Sequence, residues 1–464
     1  MVLGLAVYAP LLLPALEEFA RAGGGGSGSG GGAGGAIVFI AMAGYFPMYG
    51  LGRLLRLGRN KPTWVVLQVV GWIVASALAI ALLASLLVLP SLLYALYIAV
   101  PIAAGSLLGI GAGLYSWFSA LRQSQKVYNA LRHAEQTDYA WNEKRLQKYA
   151  EGIFYKFQQD WSKSDLESMR RYLNPKYHAH ITLMVQALSE ARRVNKVINP
   201  KIKQSNIVQA VDSVDNSQDT FTLGITASAD DQLIDTRDNV LLYADRSSFT
   251  EYWVFRRDGN NWLLEAINQA TATSSKDRKD IRAFADTSGG YYAQDWGWLL
   301  LPRVGYLFSK NGKFGISDIN NHVIRKVDDS IVQLYTYDPY PSSKYQTADP
   351  YIIAQTTVPK TYGQILVRRR SKLVNWPVQG LTKMSMEWGE FNNMYDVYAS
   401  DLERATSFEL LHPGFMVLLR DLPFEVNIEV VDNVVYLFVK SATSKDTYAK
   451  LYDILMKARK EMER

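Results

Sequence analysis

The sequence contains no cysteine among its 464 residues. This absence excludes disulfide bonds, thiolate nucleophiles, cysteine-ligated zinc and iron–sulfur clusters. Histidine is also scarce, with five residues in the chain. His178 and His180 are two positions apart on a predicted helix, so their side chains lie on different faces and do not chelate one ion. We therefore predict no metal site and no cofactor.

The sequence also lacks the motifs that identify several enzyme classes. It has no Gly-x-x-x-x-Gly-Lys-Ser/Thr phosphate loop, no Gly-x-Ser-x-Gly elbow and no His-Glu-x-x-His pair. The adjacent carboxylates Asp230-Asp231 and Asp328-Asp329 are expected to point apart on a strand or turn. We predict that the protein is not an enzyme and has no catalytic residues.

A strong charge of one sign is missing too. The net charge is +6 and the pI is near 9.0. This excess of positive charge is small for a chain of this length. Part of it lies beside apolar segments, where basic residues determine which side of a membrane a flanking segment takes. Nucleic-acid binding is therefore not predicted, except through contact with a ribosome.

Long apolar runs occupy the first 121 residues. The segments 64–89 and 92–118 each exceed the ~20 residues needed to cross a bilayer and contain no Asp, Glu, Lys, Arg or His. The segment 36–52 is shorter and contains Pro47. We predict a transmembrane region over 36–121, with spans at 36–55, 64–89 and 92–119, the last two forming a helical hairpin.

The extreme N-terminus has two interpretations. Residues 1–22 contain an apolar run and end in Ala20-Arg21-Ala22, which fits a signal peptide with a small-x-small cleavage site. The usual basic beginning is absent, which fits a short uncleaved anchor instead. Residues 23–35 are rich in Gly and Ser and are predicted to form a flexible linker.

Basic residues flank the predicted hairpin at both ends, over 53–61 and 122–132. Because basic flanks stay in the cytoplasm, the chain after residue 121 is predicted to be cytoplasmic in a multi-pass protein of the cell membrane. Gly105, Gly109 and Gly113 share one face of the third span and permit close helix packing. Their partner is either the neighbouring span or a second copy of the chain in a homo-oligomer.

A basic amphipathic stalk helix is predicted over 122–160. Its apolar positions Leu146, Tyr149, Ile153 and Phe157 recur every three or four residues. The other faces carry basic residues that could contact anionic lipid or be simply solvated: Arg122, Lys126, Arg132, Lys144, Arg145 and Lys148.

A helix-plus-sheet domain is predicted over 140–272. A capping-box pattern at Ser164 and Glu167 predicts a helix over 165–172, and Asn174-Pro175 predicts another through Arg193. Beyond Pro200 the apolar residues alternate, as expected for strands, and Asp258-Gly259-Asn260 predicts a turn between the last two.

Three segments of this region resemble the TIM-forty-four-like (Tim44-like) domain family. They are residues 154–166, residues 193–197, and above all Thr250-Glu251-Tyr252-Trp253-Val254-Phe255-Arg256-Arg257 with Trp262-Leu263-Leu264. The resemblance implies an α+β fold of the cone-shaped, nuclear-transport-factor-like kind, in which helices pack on a curved antiparallel sheet with an apolar pocket. It also implies binding to membranes and partner proteins. The order of a signal-like start, a glycine-rich tract and spans before the domain is similar to that of prokaryotic members of the family.

The resemblance places four aromatic residues in a candidate pocket or partner-binding site: Tyr252, Trp253, Phe255 and Trp262. On the inward face of a strand, an aromatic side chain either lines such a pocket or forms ordinary core.

The remainder of the chain is predicted to contain a linker over 273–290 and a second α+β domain over 291–464. A hairpin is predicted to turn at Asp432-Asn433, a helix to contain Phe415 to Leu419, and a closing helix to bury Tyr448 and Leu451.

Together these features predict a non-catalytic, membrane-anchored scaffold or tether whose cytoplasmic domain binds a protein partner and anionic lipid. Two alternatives stay open at this stage: binding of a lipid or small molecule in the sheet pocket, and membrane tethering of ribosomes.

Overall fold

A computed structural model describes residues 125–269, 278–294, 299, 305–307, 319–338, 350–370, 380–400, 411–422 and 425–462. The predictions for residues 1–124, including the signal peptide or anchor, the spans, Arg122 and the glycines at 105, 109 and 113, lie outside the described residues. Within the described residues, no helix is both long and apolar enough to cross a membrane. The chain divides into two compact units, Met1–Asn129 and Ala130–Arg464, and the fold below is that of the second.

The first half of this unit is a five-stranded antiparallel sheet with helices packed on it. Residues 130–137 of this unit are helical, and after them come α2 (Glu143–Lys163), α3 (Leu166–Met169) and α4 (Pro175–Glu190). The strands are β1 (Arg193–Val211), β2 (Thr220–Asp235), β3 (Val240–Asp245), β4 (Ser248–Asp258) and β5 (Asn261–Gln269). Their order is β1-β2-β4-β5, with β3 paired to β2.

The second half is a seven-stranded sheet with further helices. Its strands are β6 (Tyr291–Ala293), β7 (Ile319–Val327), β8 (Ser330–Tyr337), β9 (Tyr351–Arg369), β10 (Thr382–Met384), β11 (Tyr395–Ala399) and β12 (Asn427–Lys440). The helices are α5 (Lys279–Thr287), α6 (Gly389–Met394), α7 (Pro413–Arg420) and α8 (Lys445–Met462). The order is β10-β11-β9-β8-β7-β6, with β12 also paired to β9. The predicted α+β class with two sheets is therefore confirmed.

The predicted stalk is not one continuous helix. The helix over 125–137 ends before Asp138, whose side chain caps a short 3-10 turn, Tyr139–Trp141. Asn142 then caps α2 by accepting a hydrogen bond from the Arg145 N–H at 3.0 Å. Two successive side-chain caps break the helix, because Asp and Asn compete for backbone donors that a continuing helix would use. The apolar face of α2 packs on the sheet, so this part of the stalk belongs to the domain.

Two helices have boundaries that differ from the predicted ones. Ser164 lies in the left-handed region, with φ of 54°, and ends α2; Asp165 caps the next helix by accepting from the Ser168 N–H at 3.0 Å. The helix that begins after Asn174 ends at Glu190 instead of Arg193, because Arg193 is already the first residue of β1. The predicted turn at Asp258-Gly259-Asn260 is confirmed, with Gly259 at a φ of 59°.

The predicted linker over 273–290 contains helix α5. Its side chains Ile281, Phe284 and Ala285 are buried in the core of the second sheet. The helix is nine residues long, too short for its apolar period to stand out beside a polar stretch.

The predicted hairpin at Asp432-Asn433 is wrong. Residues 427–440 form one strand, β12, which pairs along β9 with a register shift on each side of Asp432. Asp432 adopts a φ of 56°, and β12 continues without reversing. The extra residues of the bulge at this point lie on β9, where the partners skip from Tyr362 to Thr357. The predicted helices at 415–419 and around Tyr448 and Leu451 are present as α7 and α8.

This bulge contacts the first half of the unit. The Arg237 guanidinium lies 2.9 Å from the Asp432 carboxylate, and the Asn433 amide donates to the Glu190 carbonyl at 2.8 Å. Thr357 on β9 donates to the Glu190 carboxylate at 2.7 Å. The two sheets are therefore joined by polar contacts between β12, β9 and the end of α4.

Candidate functional site

An ion-pair cluster attaches Asp138, the residue that follows the helix, to the sheet. Arg257, on the inner face of β4, donates to Asp138 and, at 3.1 Å, to Asp219. The Asp219 side chain is fully buried and that of Arg257 is 7% exposed. The Ala140 N–H lowers the pKa of the Asp138 carboxyl, and Arg257 lowers it further. Asp138 is thus held to the sheet through the buried pair of Arg257 and Asp219.

The predicted lipid-contacting residues within the described part of the chain are exposed: Lys126, Arg132, Lys144, Arg145 and Lys148. They lie on the helix over 125–137 and on the first two turns of α2. Arg145 stacks over the Tyr139 ring, with 5.8 Å between Cζ and the ring centroid. These five charges are therefore accessible to solvent, in the part of the chain that follows the predicted spans.

Three of the four predicted pocket residues are core side chains. Trp253 and Phe255 are fully buried and Trp262 is 5% exposed. The Trp253 ring packs edge-on against Phe157 of α2, with centroids 5.5 Å apart, and Phe255 stacks on Phe221 at 4.8 Å. Aromatic rings from the helices and the sheet therefore fill the space where the resemblance implies an apolar pocket.

Tyr252 lies on the opposite face of β4 and is 38% exposed. Its ring covers Gly224 on the neighbouring strand β2. A Cβ atom added at Gly224 would lie 3.5 Å from the Tyr252 ring and 3.1 Å from the Val208 side chain. A larger residue at position 224 would therefore press on the Val208 side chain, and the tyrosine lies on the outer surface of the sheet.

Two partly shielded carboxyl groups lie at one end of the sheet. Glu251 accepts from the Trp253 indole N–H at 3.0 Å and from the Gln269 amide at 2.8 Å. Asp231 accepts from the Asn195 amide at 2.7 Å. Burial raises the pKa of both carboxyls. For Asp231, burial together with the nearby negative charges of Asp245 and Glu251 outweighs the hydrogen bond from Asn195, so the pKa is raised to about 7. These groups prefer the protonated form more than an exposed carboxyl does.

The two histidines of α4 are separated, as predicted. His178 Nε2 contacts the Leu166 carbonyl at 2.9 Å. His180 is buried and stacks on Tyr291 of β6, with centroids 5.4 Å apart and planes at 7°. Burial lowers the pKa of His180 to about 3, so its ring is neutral. The described residues include no cluster of three or more side chains suited to a metal ion.

A cavity of about 310 Å³ opens between the two sheets, and we call it the edge groove. Its walls are residues 265–269 of β5 and residues 291–294 in and after β6. Asn174, Lys176, Tyr177 and His180 line it from the start of α4, and Arg282 and Asp286 line it from α5. None of the four predicted pocket residues lines the edge groove.

Both walls of the edge groove are strands at the end of a sheet. Besides its pairing with β4, β5 is hydrogen-bonded at two points. The Leu264 N–H donates to the Tyr172 carbonyl at 2.8 Å and the Leu264 carbonyl accepts from the Asn174 N–H at 2.8 Å, and the Ile267 backbone is hydrogen-bonded to the Tyr177 hydroxyl. In the described parts of the chain, residues 265–269 have a strand partner on the β4 side alone, and β6 has one on the β7 side alone. Sequence reasoning missed this groove because it depends on two strands about 25 positions apart that end different sheets.

Opposite charges balance at the edge groove. Lys176 Nζ lies 3.5 Å from Asp286, and Glu265 lies 2.7 Å from Arg256. Arg282 stacks over Tyr292, with 4.5 Å between Cζ and the ring centroid. Burial raises the pKa of the Tyr177 hydroxyl, which keeps it neutral. The groove can therefore offer hydrogen bonds and aromatic contacts without a net charge.

Comparison with known proteins agrees with part of this description. The family model for the Tim44-like domain matches residues 127–269. No curated protein matches the chain. The crystal structure of the mycobacterial trehalose monomycolate transport factor A, TtfA, aligns with a TM-score of 0.29 and 11% identity, covering 40% of this chain and 93% of that one. The intermembrane-space region of the chloroplast protein ARC6 aligns with a TM-score of 0.22 and 15% identity, covering 26% of this chain and 95% of that one.

With TM-scores of 0.29 and 0.22, neither structure is similar enough to indicate a function for this chain. The family match covers the helical segment after residue 127, the cap at Asp138 and all five strands of the first sheet. It bears out the resemblance carried by the Glu251-to-Arg257 segment, and it leaves the second sheet without a family. Residues 127–269 of this chain are a Tim44-like domain.

Proposed function

We propose that the protein is a non-catalytic, membrane-anchored scaffold or tether whose Tim44-like domain binds a protein partner on its surface. The observation that carries the proposal is the aromatic core of this domain, which fills its interior and leaves binding to the outside. Trp253 and Phe255 have no exposed surface, whereas Tyr252, which precedes Trp253 on the same strand, is on the outer face. The proposal takes the domain to have the cone-shaped, nuclear-transport-factor-like fold that the family implies.

The filled interior argues against an apolar ligand inside this sheet. A lipid chain there would have to displace Trp253, Phe255 or the α2 ring of Phe157, each packed against other rings. Removing such contacts from a packed core costs several kcal/mol, on the order of 3 to 5 for one large aromatic side chain.

Crosslinking in native membranes tests partner binding. A photo-crosslinking amino acid placed at Tyr252 of the full chain is expected to form a reproducible adduct with one protein. Val214 is the control, because it is also exposed but lies in the loop between β1 and β2. Equal adduct patterns from positions 252 and 214, or no protein adduct from position 252, would count against the proposal.

Contact with anionic lipid is a second part of the proposed function. The five exposed basic residues between 126 and 148 favour it, since each adds about 1 kcal/mol of attraction when close to an anionic leaflet. The same photo-crosslinking amino acid at Lys144 is expected to yield adducts with anionic lipid. If adducts at Lys144 contain only zwitterionic lipid, these residues are a solvated surface.

We also propose that the domain lies on the cytoplasmic side of the cell membrane, as the basic flanks predict. The absence of native cysteine makes the test simple. A membrane-impermeant maleimide is expected to label Ser91→Cys, between the last two predicted spans, in intact cells. It should label Val214→Cys only after the membrane is opened. Labelling of Val214→Cys in intact cells would place the domain on the other side.

A further inference from the structure

We propose that strand β3 is a pH-dependent latch of the first sheet, which is paired with β2 in acid and opens from its Asp245 end as the pH rises. The proposal goes beyond partner binding and does not depend on it, because it concerns a conformational change within the domain. The feature that carries it is a pair of carboxyl groups, Asp231 and Asp245, that face each other across the two strands.

The register of β2 and β3 brings these two carboxyl groups together. Asp231 and Asp245 are direct partners in the antiparallel pairing, and Asp245 is the last residue of β3. Directly opposite residues share one face of the sheet, with Cβ atoms about 4.5 to 5.5 Å apart, and like charges in these positions are destabilising. The final cross-strand contact of β3 is therefore repulsive when both groups are ionised.

The groups around Asp231 strengthen this effect. Burial is the largest cause of its raised pKa, and three anions add to it: Asp245 on β3, Glu251 on β4 and Asp230 beside it on β2. The Asn195 amide of β1 donates a hydrogen bond to Asp231 at 2.7 Å and opposes them. The balance raises the pKa of Asp231 to about 7.

The charged and polar groups on the other neighbouring elements do not offset the negative charge of Asp231. The α2 helix reaches this region through the indole of Trp161, which is neutral and bonds to the side chain that holds Asp231. On β1, Lys196 is one position before the strand partner of Asp231, so it points to the opposite face of the sheet. Arg246, which follows β3, pairs with Asp230 at 3.2 Å.

The direction of the pH effect follows from the change in pKa on opening. Release of β3 separates Asp231 from Asp245 and hydrates it, so the pKa of Asp231 falls towards its ordinary value of about 3.9. The closed form therefore binds the proton more tightly than the open form. The ratio of open to closed molecules rises as the pH increases from about 4 to about 7 and levels off above that, with about a tenfold change for each unit of pKa difference.

Contacts at the two ends of β3 determine which end opens. In the turn before β3, Arg237 donates to Asp235 at 3.0 Å and lies 2.9 Å from Asp432 of the second sheet. After β3, the side chain of Arg246 is 73% exposed, and an ion pair with this exposure contributes little. None of the six residues of β3 is buried, so the strand has little apolar contact to hold it. The latch should stay attached at its start and open at Asp245.

Amide hydrogen exchange of the full chain in lipid nanodiscs tests the latch, with rates corrected for the intrinsic effect of pH. The protection of residues 231–235 and 240–245 is expected to fall by about tenfold or more between pH 5 and pH 8, most strongly near Asp245. Because the release of one short strand exposes little surface, this exchange should not accelerate at urea concentrations below the unfolding transition.

Three variants identify the group that is responsible. Asp231→Asn cannot ionise, so its protection at pH 8 should be within twofold of that at pH 5. Asp245→Asn removes the facing charge and should make the fall at least threefold smaller; it keeps the test decisive if Asp231→Asn does not fold. Asp258→Asn is the matched control, because it removes an exposed carboxylate at the end of β4 in the same sheet. It should leave the fall unchanged.

Four results would overturn the inference: equal protection at pH 5 and pH 8, a fall that persists in Asp231→Asn, loss of the fall in Asp258→Asn, or exchange of β3 that accelerates with urea as strongly as that of β4. The last result would mean that β3 opens only when the whole sheet unfolds. None of these results bears on the crosslinks at position 252, so the proposed function and the latch can fail separately.

Discussion

Replacing Arg257 with alanine is expected to lower the free energy of unfolding by about 3 to 5 kcal/mol, because it leaves a buried charge without its partner. Arg257 is 7% exposed and donates to Asp219, which has no exposed side-chain surface. The same change also frees Asp138, the cap between the helix over 125–137 and the 3-10 turn. The loss can be measured by urea titration of the full chain in detergent, followed by tryptophan fluorescence.

Arg256→Ala is the matched control for this experiment. Arg256 is the preceding residue on β4 and is paired with Glu265 at 2.7 Å, with both side chains 31% exposed. A pair with this exposure contributes about 0 to 1 kcal/mol. Similar losses for Arg256→Ala and Arg257→Ala would show that the network around Asp219 does not hold this segment.

The second large effect is expected for Asp231→Asn, and it depends on pH. In the folded protein, burial and the smaller effects of Asp245, Glu251 and Asp230 outweigh the hydrogen bond from Asn195 and raise the pKa of Asp231 to about 7. In the unfolded chain the pKa is about 3.9. Between these two values the folded state binds more protons than the unfolded state, so the free energy of unfolding falls as the pH rises from about 4 to about 7.

Asparagine at position 231 removes this titration and still accepts a hydrogen bond from Asn195. The variant should therefore match the parent protein near pH 4 and exceed its free energy of unfolding at pH 8 by about 1 to 3 kcal/mol. Urea titrations at both pH values measure the difference. A parent protein whose stability does not fall between pH 4 and 7 would contradict the assignment.

Asp230→Asn is the control for Asp231→Asn. It tests whether the removal of any carboxylate from this strand would raise the free energy of unfolding at pH 8. The hydrogen bond from Arg246 lowers the pKa of Asp230, so its charged form is favoured in the folded state. Its stabilising effect is present above the unfolded pKa and is lost as the pH falls. Asp230→Asn should consequently show no gain at pH 8, whereas Asp231→Asn should show one.

Elements with a strong local signal could be predicted from the sequence. The strand with Trp253 and Phe255 on one face and Tyr252 on the other lies where the alternation places it. Asn174-Pro175 begins α4, and Gly259 makes the tight turn between β4 and β5. In each case a few neighbouring residues determine the backbone conformation, so tertiary contacts do not need to override it.

Elements whose form depends on distant partners could not be predicted. Asp432-Asn433 reads as a hairpin turn, but β9 runs alongside β12 for its whole length and converts the turn into a bulge. Residues 279–287 read as a linker, yet three of their side chains complete the core of the second sheet. The stalk breaks at Asp138 because Arg257, 119 positions later, provides the buried partner of its carboxylate.

The same division applies to the candidate site. The absence of cysteine, the missing enzyme motifs and the Tim44-like segment from Glu251 to Arg257 are properties of the sequence by itself, because they depend on residue identity and close spacing. Whether Trp253 lines a pocket or fills a core was decided only by the tertiary structure, since the answer depends on the rings that α2 brings against it. The edge groove was decided in the same way, because β5 and β6 line one cavity only after two separate sheets have packed together.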